Sequence, residues 1–255
     1  MKLSVDALSV KGPVRDKNED MLSIAGRMLR DSGFRGEDET GDFWYAFVAD
    51  GMGGHADGEE ASRELLWHLR DCFTMGDFSE DGFEEDFIRA VEYVSAGLNA
   101  RSSYSGLEKP MGTTLCGIVW IFGRCYLVNA GDSRMYRWRD GLIEQLTEDQ
   151  KDGNGLLLNC VGAGMTGTPA VLDISDKVRE DDVIVICSDG VHGFVPEDEI
   201  EYYLNISPDP AEDLCDRAVV NGSDDNASVA IIRVGGGDFG DGDAPDDDGR
   251  WDWAA

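Results

Sequence analysis

Phe43–His55 reads FWYAFVADGMGGH, and the reading of this stretch decides the fold. Seven aromatic and aliphatic residues run unbroken from Phe43 to Ala49 and stop at Asp50, beyond which Gly51, Gly53 and Gly54 crowd together. A continuous apolar run of that length is a buried strand, and glycines at its end mark a tight turn. Asp50 therefore stands at the mouth of a rigid strand, where a carboxylate is held still enough to ligate a metal ion. Four more acidic clusters lie along the chain, at Asn18-Glu19-Asp20, Gly131-Asp132-Ser133, Ser188-Asp189-Gly190 and Asp224-Asp225-Asn226, the last three each beside an apolar segment. Brought to one cleft, such turns make an oxygen-lined site that suits Mg2+ or Mn2+ and not soft metals.

Composition narrows the function classes. The 255 residues are 42% hydrophobic, enough for one substantial core. Acidic side chains outnumber basic ones 52 to 22, a formal net charge of -30. Such a surface repels nucleic acid and anionic membranes, which argues against a nucleic-acid binder, and a two-metal nuclease would lack its basic track. Any phosphate site must be made locally positive, by metal ions or a placed arginine. Six widely spaced cysteines with no CxxC pair read as buried free thiols. No apolar stretch approaches the length of a membrane span and the first residues form no signal region, so a cytoplasmic protein is expected.

Along the chain, strands are expected at Lys2–Val10, Met21–Ile24, Phe43–Ala49, across Met111–Phe122, and at Cys125–Asn129, Met135–Trp138, Asp182–Cys187 and Ala227–Val234. Helical spacing of apolar residues marks Glu59–Phe73, the stretch from Phe83 to Leu98, and Pro210–Val220, and Pro196 with the acidic residues after it marks a further helix start. Tight turns at Gly123-Arg124 and Asp140-Gly141 favour antiparallel sheet over alternating parallel units. The polar stretch from Ala25 to Asp42 reads as an exposed hairpin or loop, and Thr147–Thr168 as a loop whose apolar Leu156–Leu158 needs cover. Residues 235–255 hold seven Asp and one Arg without periodicity, an acidic tail expected to be disordered.

Taken together, Gly12-x-x-Arg15-x-x-Asn18-Glu19-Asp20, Asp50-Gly51-Met52-Gly53-Gly54-His55, Gly112-Thr113-Thr114, Asn129-Ala130-Gly131-Asp132-Ser133-Arg134, Ser188-Asp189-Gly190 and Asp225-Asn226 occur in an order that resembles the metal-dependent Ser/Thr protein phosphatases of type 2C, in their compact bacterial form. The likeness runs over about residues 5–234, so that 1–234 is the expected catalytic domain. It implies an α+β fold, a four-layer α-β-β-α sandwich with two central, mainly antiparallel sheets. It also implies two Mn2+ or Mg2+ ions, with Asp50 bridging them, the Gly51 carbonyl on one, and Glu19, Asp189 and Asp225 completing the protein ligands of the other. Asp132 with Asp189 would hold a weaker third ion. Arg15 would bind the phosphate, Asp20 would order metal-bound water, and Asn226 would support its neighbour. A metal-bridged hydroxide would then attack phosphorus in line, without a covalent phosphoenzyme.

Two departures bear on mechanism. Met52 stands where many eukaryotic relatives carry a histidine proposed as general acid, and His55 does not inherit that role by proximity. The segment near 150–168 is a shortened version of the flap beside the substrate cleft, and the insertion at 27–41 is a possible compensation or partner site. The expected activity is hydrolysis of phosphoserine and phosphothreonine in proteins, opposing a Ser/Thr kinase, by a monomer. The competing readings are a phosphomonoesterase acting on a small molecule and a non-catalytic phosphoprotein-binding relative.

Overall fold

In the strand β5 (Phe43–Ala49) the apolar run divides into two alternating sets. Trp44, Ala46 and Val48 enter one hydrophobic cluster, Tyr45, Phe47 and Ala49 another. That is the period-two alternation of a strand buried on both faces. The structure is a computed structural model and describes residues 1–53, 57–106 and 110–235. β5 lies inside a six-stranded sheet in the order β13 (Ala170–Asp173), β9 (Arg124–Ala130), β8 (Leu115–Ile121), β5, β2 (Met21–Ile24) and β3 (Arg27–Leu29). The second sheet also has six strands, in the order β11 (Leu142–Gln145), β10 (Arg134–Arg139), β14 (Val183–Cys187), β15 (Ala227–Val234), β1 (Lys2–Val10) and β4 (Ser32–Glu39). Every pairing in both sheets is antiparallel.

The sheets face each other across Leu3, Val5, Ile184, Ile186 and Ile232 from one side and Trp44, Val48 and Ile118 from the other. Helices α1 (Asp57–Met75) and α2 (Phe83–Ser105) cover the outer face of the first sheet through Leu65, Leu69, Phe87 and Val91. On the outer face of the second sheet, α4 (Glu197–Ile206) and α5 (Pro210–Val220) bring Ile200, Leu204, Leu214 and Ala218 against Val183, Val185 and Ile231. The α+β chain is thus a four-layer α-β-β-α sandwich. Each fully buried leucine in these layers contributes about 1.5–3 kcal/mol of transfer free energy. The α5 N-terminus is tied down from the sheet, where Asp6 Oδ2 accepts the Ala211 N–H at 2.9 Å.

Several strands and helices lie where their patterns place them: β1, β2, β5, β15 and α5 match to the residue. The polar stretch from Ala25 to Asp42 does not. It forms β3 and β4, which are edge strands of different sheets rather than a hairpin or a loop. β4 has little apolar content and is held instead by its ladder to β1 and by Arg35, which pairs with Asp6 at 2.8 Å and also with Asp209. Arg27 of β3 pairs with Asp38 of β4 at 2.9 Å, joining the two edges. A charged edge strand of this kind protects the sheet from further pairing, and its burial signal is weak for that reason.

The hairpin turn after β8 falls one residue earlier than expected, at Phe122-Gly123, both with positive φ. Gly51–Met52, expected to be part of the glycine turn, forms a short strand, β6, which pairs with β7 (Gly112–Thr113). β7 pairs in turn with β12 (Val161–Gly162) in a three-stranded sheet. The segment 147–168 is otherwise largely irregular, with an isolated bridge between Lys151 and Leu157, and it leaves Leu156 and Leu158 exposed rather than covered. β13 and the one-turn helix α3 (Asp189–His192) carry no periodic signal and escape a sequence reading. The tail at 236–255 and His55 lie outside the described residues.

Candidate metal centre and active site

Asp50 leaves β5 with its backbone clamped on both sides. Its N–H donates to Thr114 Oγ1 at 3.0 Å, and its carbonyl accepts from the Thr114 N–H at 2.8 Å and from Thr113 Oγ1 at 3.0 Å. Thr114 Oγ1 in turn meets Ser133 Oγ at 2.7 Å, linking the Asp50 turn to the Asp132 turn. Gly51 follows at a point where three chain segments converge: a Cβ there would overlap the Gly58 carbonyl and the Glu19 carbonyl oxygen. Only glycine permits that approach. Ser62 of α1 donates to the Glu19 carbonyl at 2.6 Å, and Arg30 donates to the Asp20 carbonyl at 2.8 Å.

The Asn18-Glu19-Asp20 turn is fixed by side chains distant in sequence. Asn18 Oδ1 accepts the Asp20 N–H at 3.1 Å while its Nδ2 donates to Ser9 Oγ at 3.0 Å. Asn226 spans the gap to the last motif: its Oδ1 accepts the Glu19 N–H at 2.9 Å and its Nδ2 donates to the Lys17 carbonyl at 3.0 Å. Asp20 is almost wholly buried, and its Oδ2 accepts from Ser188 Oγ at 2.8 Å, beside Asp189. Arg15, whose side chain is nearly half exposed, donates from Nη2 to Asp225 Oδ2 at 2.6 Å.

These groups act on one another electrostatically. Burial pushes the Asp50 carboxyl well above its ordinary range, and the charges of Asp20, Asp189 and Asp225 push it further. Burial likewise lifts Asp20 to about 7 against the donors of Ser188 and Ser228, with Asp189 and Asp225 adding to the rise. Asp189 is raised by burial and by Asp132 and Asp225, and it shares a hydrogen bond with Asp50. Glu19 is raised by burial, partly offset by Arg15, and its Oε1 is buried without a hydrogen-bond partner. Carboxylates in this arrangement repel one another and take up protons unless cations are supplied. Among the described residues no three such side chains already converge as a closed ligand set. The donor chemistry nevertheless fits hard divalent ions: all-oxygen groups, an unpartnered buried carboxylate oxygen, and mutual repulsion that a cation would relieve.

Asp132, from a separate turn, acts on Asp189. His192 of α3 donates from Nε2 to the Asp132 carbonyl at 3.0 Å, and burial, with Arg134 nearby, lowers that imidazole to about 4. A neutral, enclosed imidazole in this position holds the backbone and does not exchange protons with a ligand. Lys151 Nζ lies 3.4 Å from Asp132 Oδ2. The Gly58, Ser62, Arg30, Lys151 and His192 contributions have no motif to announce them.

A family model described as protein phosphatase 2C matches residues 24–213, well over half of the chain. The chain belongs to the protein phosphatase 2C family. It is 30% identical to the serine/threonine protein phosphatase PstP of Mycobacterium tuberculosis over 92% of its own length, and it spans 45% of that relative. The solved catalytic domain of PstP, a structure containing two manganese ions, superposes with a TM-score of 0.70 at 26% identity, covering 91% of this chain and 98% of that one. The serine/threonine phosphatase of S. agalactiae reaches a TM-score of 0.78 at 21% identity, over 91% of this chain and 99% of that one, and shares the fold. The stretch matched to the phosphatase 2C model contains Asp50, Gly51, Asp132 and Asp189 but not Arg15, Glu19, Asp20, Asp225 or Asn226. Pairing of β1 with β15 brings those two flanking motifs to the phosphatase 2C core. No described helix is long and apolar enough to cross a membrane.

Proposed function

We propose that the chain hydrolyses phosphoserine and phosphothreonine monoesters in proteins, the products of a Ser/Thr kinase, in a reaction that requires Mn2+ or Mg2+. What supports this reading is that Glu19, Asp50, Asp189 and Asp225, from four separate segments, act on one another electrostatically, and that Asp225, Asp50 and Glu19 all act on the Arg15 guanidinium. The carboxylate of Asp50 and the carbonyl of Gly51 would sit at two cations, with Glu19, Asp189 and Asp225 completing the protein donors. Bound there, two such ions supply Lewis-acid charge and lower the pKa of water so that a nucleophile is available at neutral pH.

The chain's own groups do the positioning. Arg15 offers a planar fork that matches two phosphoryl oxygens, and once cations engage Asp225 its present partner no longer competes for that fork. Asn226 fixes the spacing between Asp225 and Glu19 through its two bonds. Asp20, braced by Ser188, would order water at the cations. All six cysteines are buried, and burial raises every thiol, which argues against a thiolate nucleophile and for direct attack by water. His192 is enclosed and neutral, which argues against it as the group that protonates the leaving oxygen.

Phosphate release from phosphothreonine peptides tests this, with Mn2+, with Mg2+ and after chelation, alongside Asp50→Asn and Asp189→Asn. Turnover that needs the metal and falls about 100-fold or more in both variants is expected. Turnover that survives chelation or both substitutions overturns the reading. A preference for small phosphate esters over phosphopeptides would assign the site to metabolites instead.

A further inference from the structure

The segment 147–168 contributes a single basic residue, Lys151, which lies beside Asp132. Gln150 pairs with Gly131 twice: its N–H donates to the Gly131 carbonyl at 3.1 Å, and its Oε1 accepts the Gly131 N–H at 3.0 Å. Asn159 Nδ2 holds the same Oε1 at 2.9 Å, and the Leu158 N–H holds the Gln150 carbonyl at 2.8 Å. The next residue, Lys151, is thereby set beside Asp132, with its ammonium 3.4 Å from Asp132 Oδ2 and 3.2 Å from Asp149 Oδ2. Asp149 cannot swing away, because Arg134 grips it through two parallel bonds of 2.8 Å. Asp132 is held by His192 at its carbonyl. Burial works against the ammonium, but Asp149 and Asp132 outweigh it and keep Lys151 charged, and its field also acts on Asp189.

We infer that Lys151 is a built-in cation that takes the place of a third divalent ion at Asp132 and Asp189, so that this chain works with two ions and a lysine. The inference rests on the two-ion reading above. A divalent ion needs a carboxylate oxygen at direct ligand distance, about 2.0–2.2 Å for Mg2+ or Mn2+, and Asp132 Oδ2 already faces an ammonium. Both cations cannot share that oxygen without strong repulsion, so the ion must first displace the Lys151 ammonium, whose backbone the Gln150–Gly131 pairing holds nearby. Lys151 acts through Asp132 and Asp189 and is a positioning residue. Without its charge, Asp132 and Asp189 are left without a competing side-chain cation.

Metal stoichiometry decides the matter, independently of turnover: equilibrium dialysis of the whole chain against Mn2+, with bound metal measured by mass spectrometry. The wild type is expected to hold about two ions. Lys151→Met gains one more weakly held ion, Lys151→Arg does not, and Lys151→Met combined with Asp132→Asn loses the gain. Circular dichroism confirms folding, and Lys151→Gln, which likewise removes the charge, takes the place of the Met variant should that unfold. Equal stoichiometry in wild type and Lys151→Met, whether two or three, overturns the inference. A wild type that binds no Mn2+ removes the two-ion reading itself, and the inference with it.

Discussion

Asp20→Asn should stabilise the chelated protein, and the gain should grow with pH. Asp20 is buried, and its carboxyl is raised from 3.8 to about 7 by burial and by Asp189 and Asp225. Between those values the folded state binds a proton that the unfolded state releases, so stability falls as pH rises from 3.8 towards 7. One pKa unit is worth about 1.4 kcal/mol, so the whole interval corresponds to about 4 kcal/mol. Asparagine keeps the shape and can still accept from Ser188 Oγ, but it carries no titration. The variant should therefore match the wild type near pH 4 and exceed it by about 4 kcal/mol above pH 7. Urea unfolding in chelator at several pH values measures the difference, and subtracting the two proteins removes the slopes of all groups that are unaffected by the substitution. Saturating Mn2+ should abolish the advantage, because cations neutralise the same cluster. An Asp20→Asn advantage that is independent of pH would refute the account of a carboxylate cluster held together by protons in the absence of metal.

Asn226→Ala removes the bonds to the Glu19 N–H and the Lys17 carbonyl; a loss of about 1–3 kcal/mol of stability and of about 10–100-fold in Mn2+ affinity is expected, read by denaturation and by metal titration. Arg15→Lys keeps the charge but loses the fork. Phosphopeptide kcat/KM should drop about 100-fold while Mn2+ stoichiometry is unchanged, as steady-state kinetics and dialysis will show. His192 is lowered from 6.5 to about 4, so the unfolded state binds more protons in that window and stability is lost as pH falls through it. His192→Asn should remove about 3 kcal/mol of that acid sensitivity in urea unfolding between pH 6.5 and 4.

The local chemistry was legible in the chain itself. A seven-residue apolar run ending in Asp50, the glycine after it and the order of the acidic motifs are short-range patterns, so they identify β5, the turn and the family resemblance without a partner. Elements that bury one face or both, such as β1, β15 and α5, also announce themselves, because their periodicity records what each must cover. Where stability comes from a neighbour instead, the chain is silent. β4 exists through its ladder to β1 and the Arg35–Asp6 pair, and β6 through two pairs with β7; neither has an apolar run.

The site divides in the same way. Which residue types can bind a hard cation is a property of single side chains, and Glu19, Asp50, Asp189 and Asp225 were readable as candidates. That Asn226 bonds Glu19 across 207 positions, that Ser188 braces Asp20, and that Lys151 points its ammonium at Asp132 follow from sheet pairing and from backbone contacts between distant segments. The sequence by itself determined the candidate donors and the strand that ends at Asp50. Only the tertiary structure decided which charges face each other, because Coulomb interactions depend on separations in space that chain closure sets and that spacing along the chain does not record.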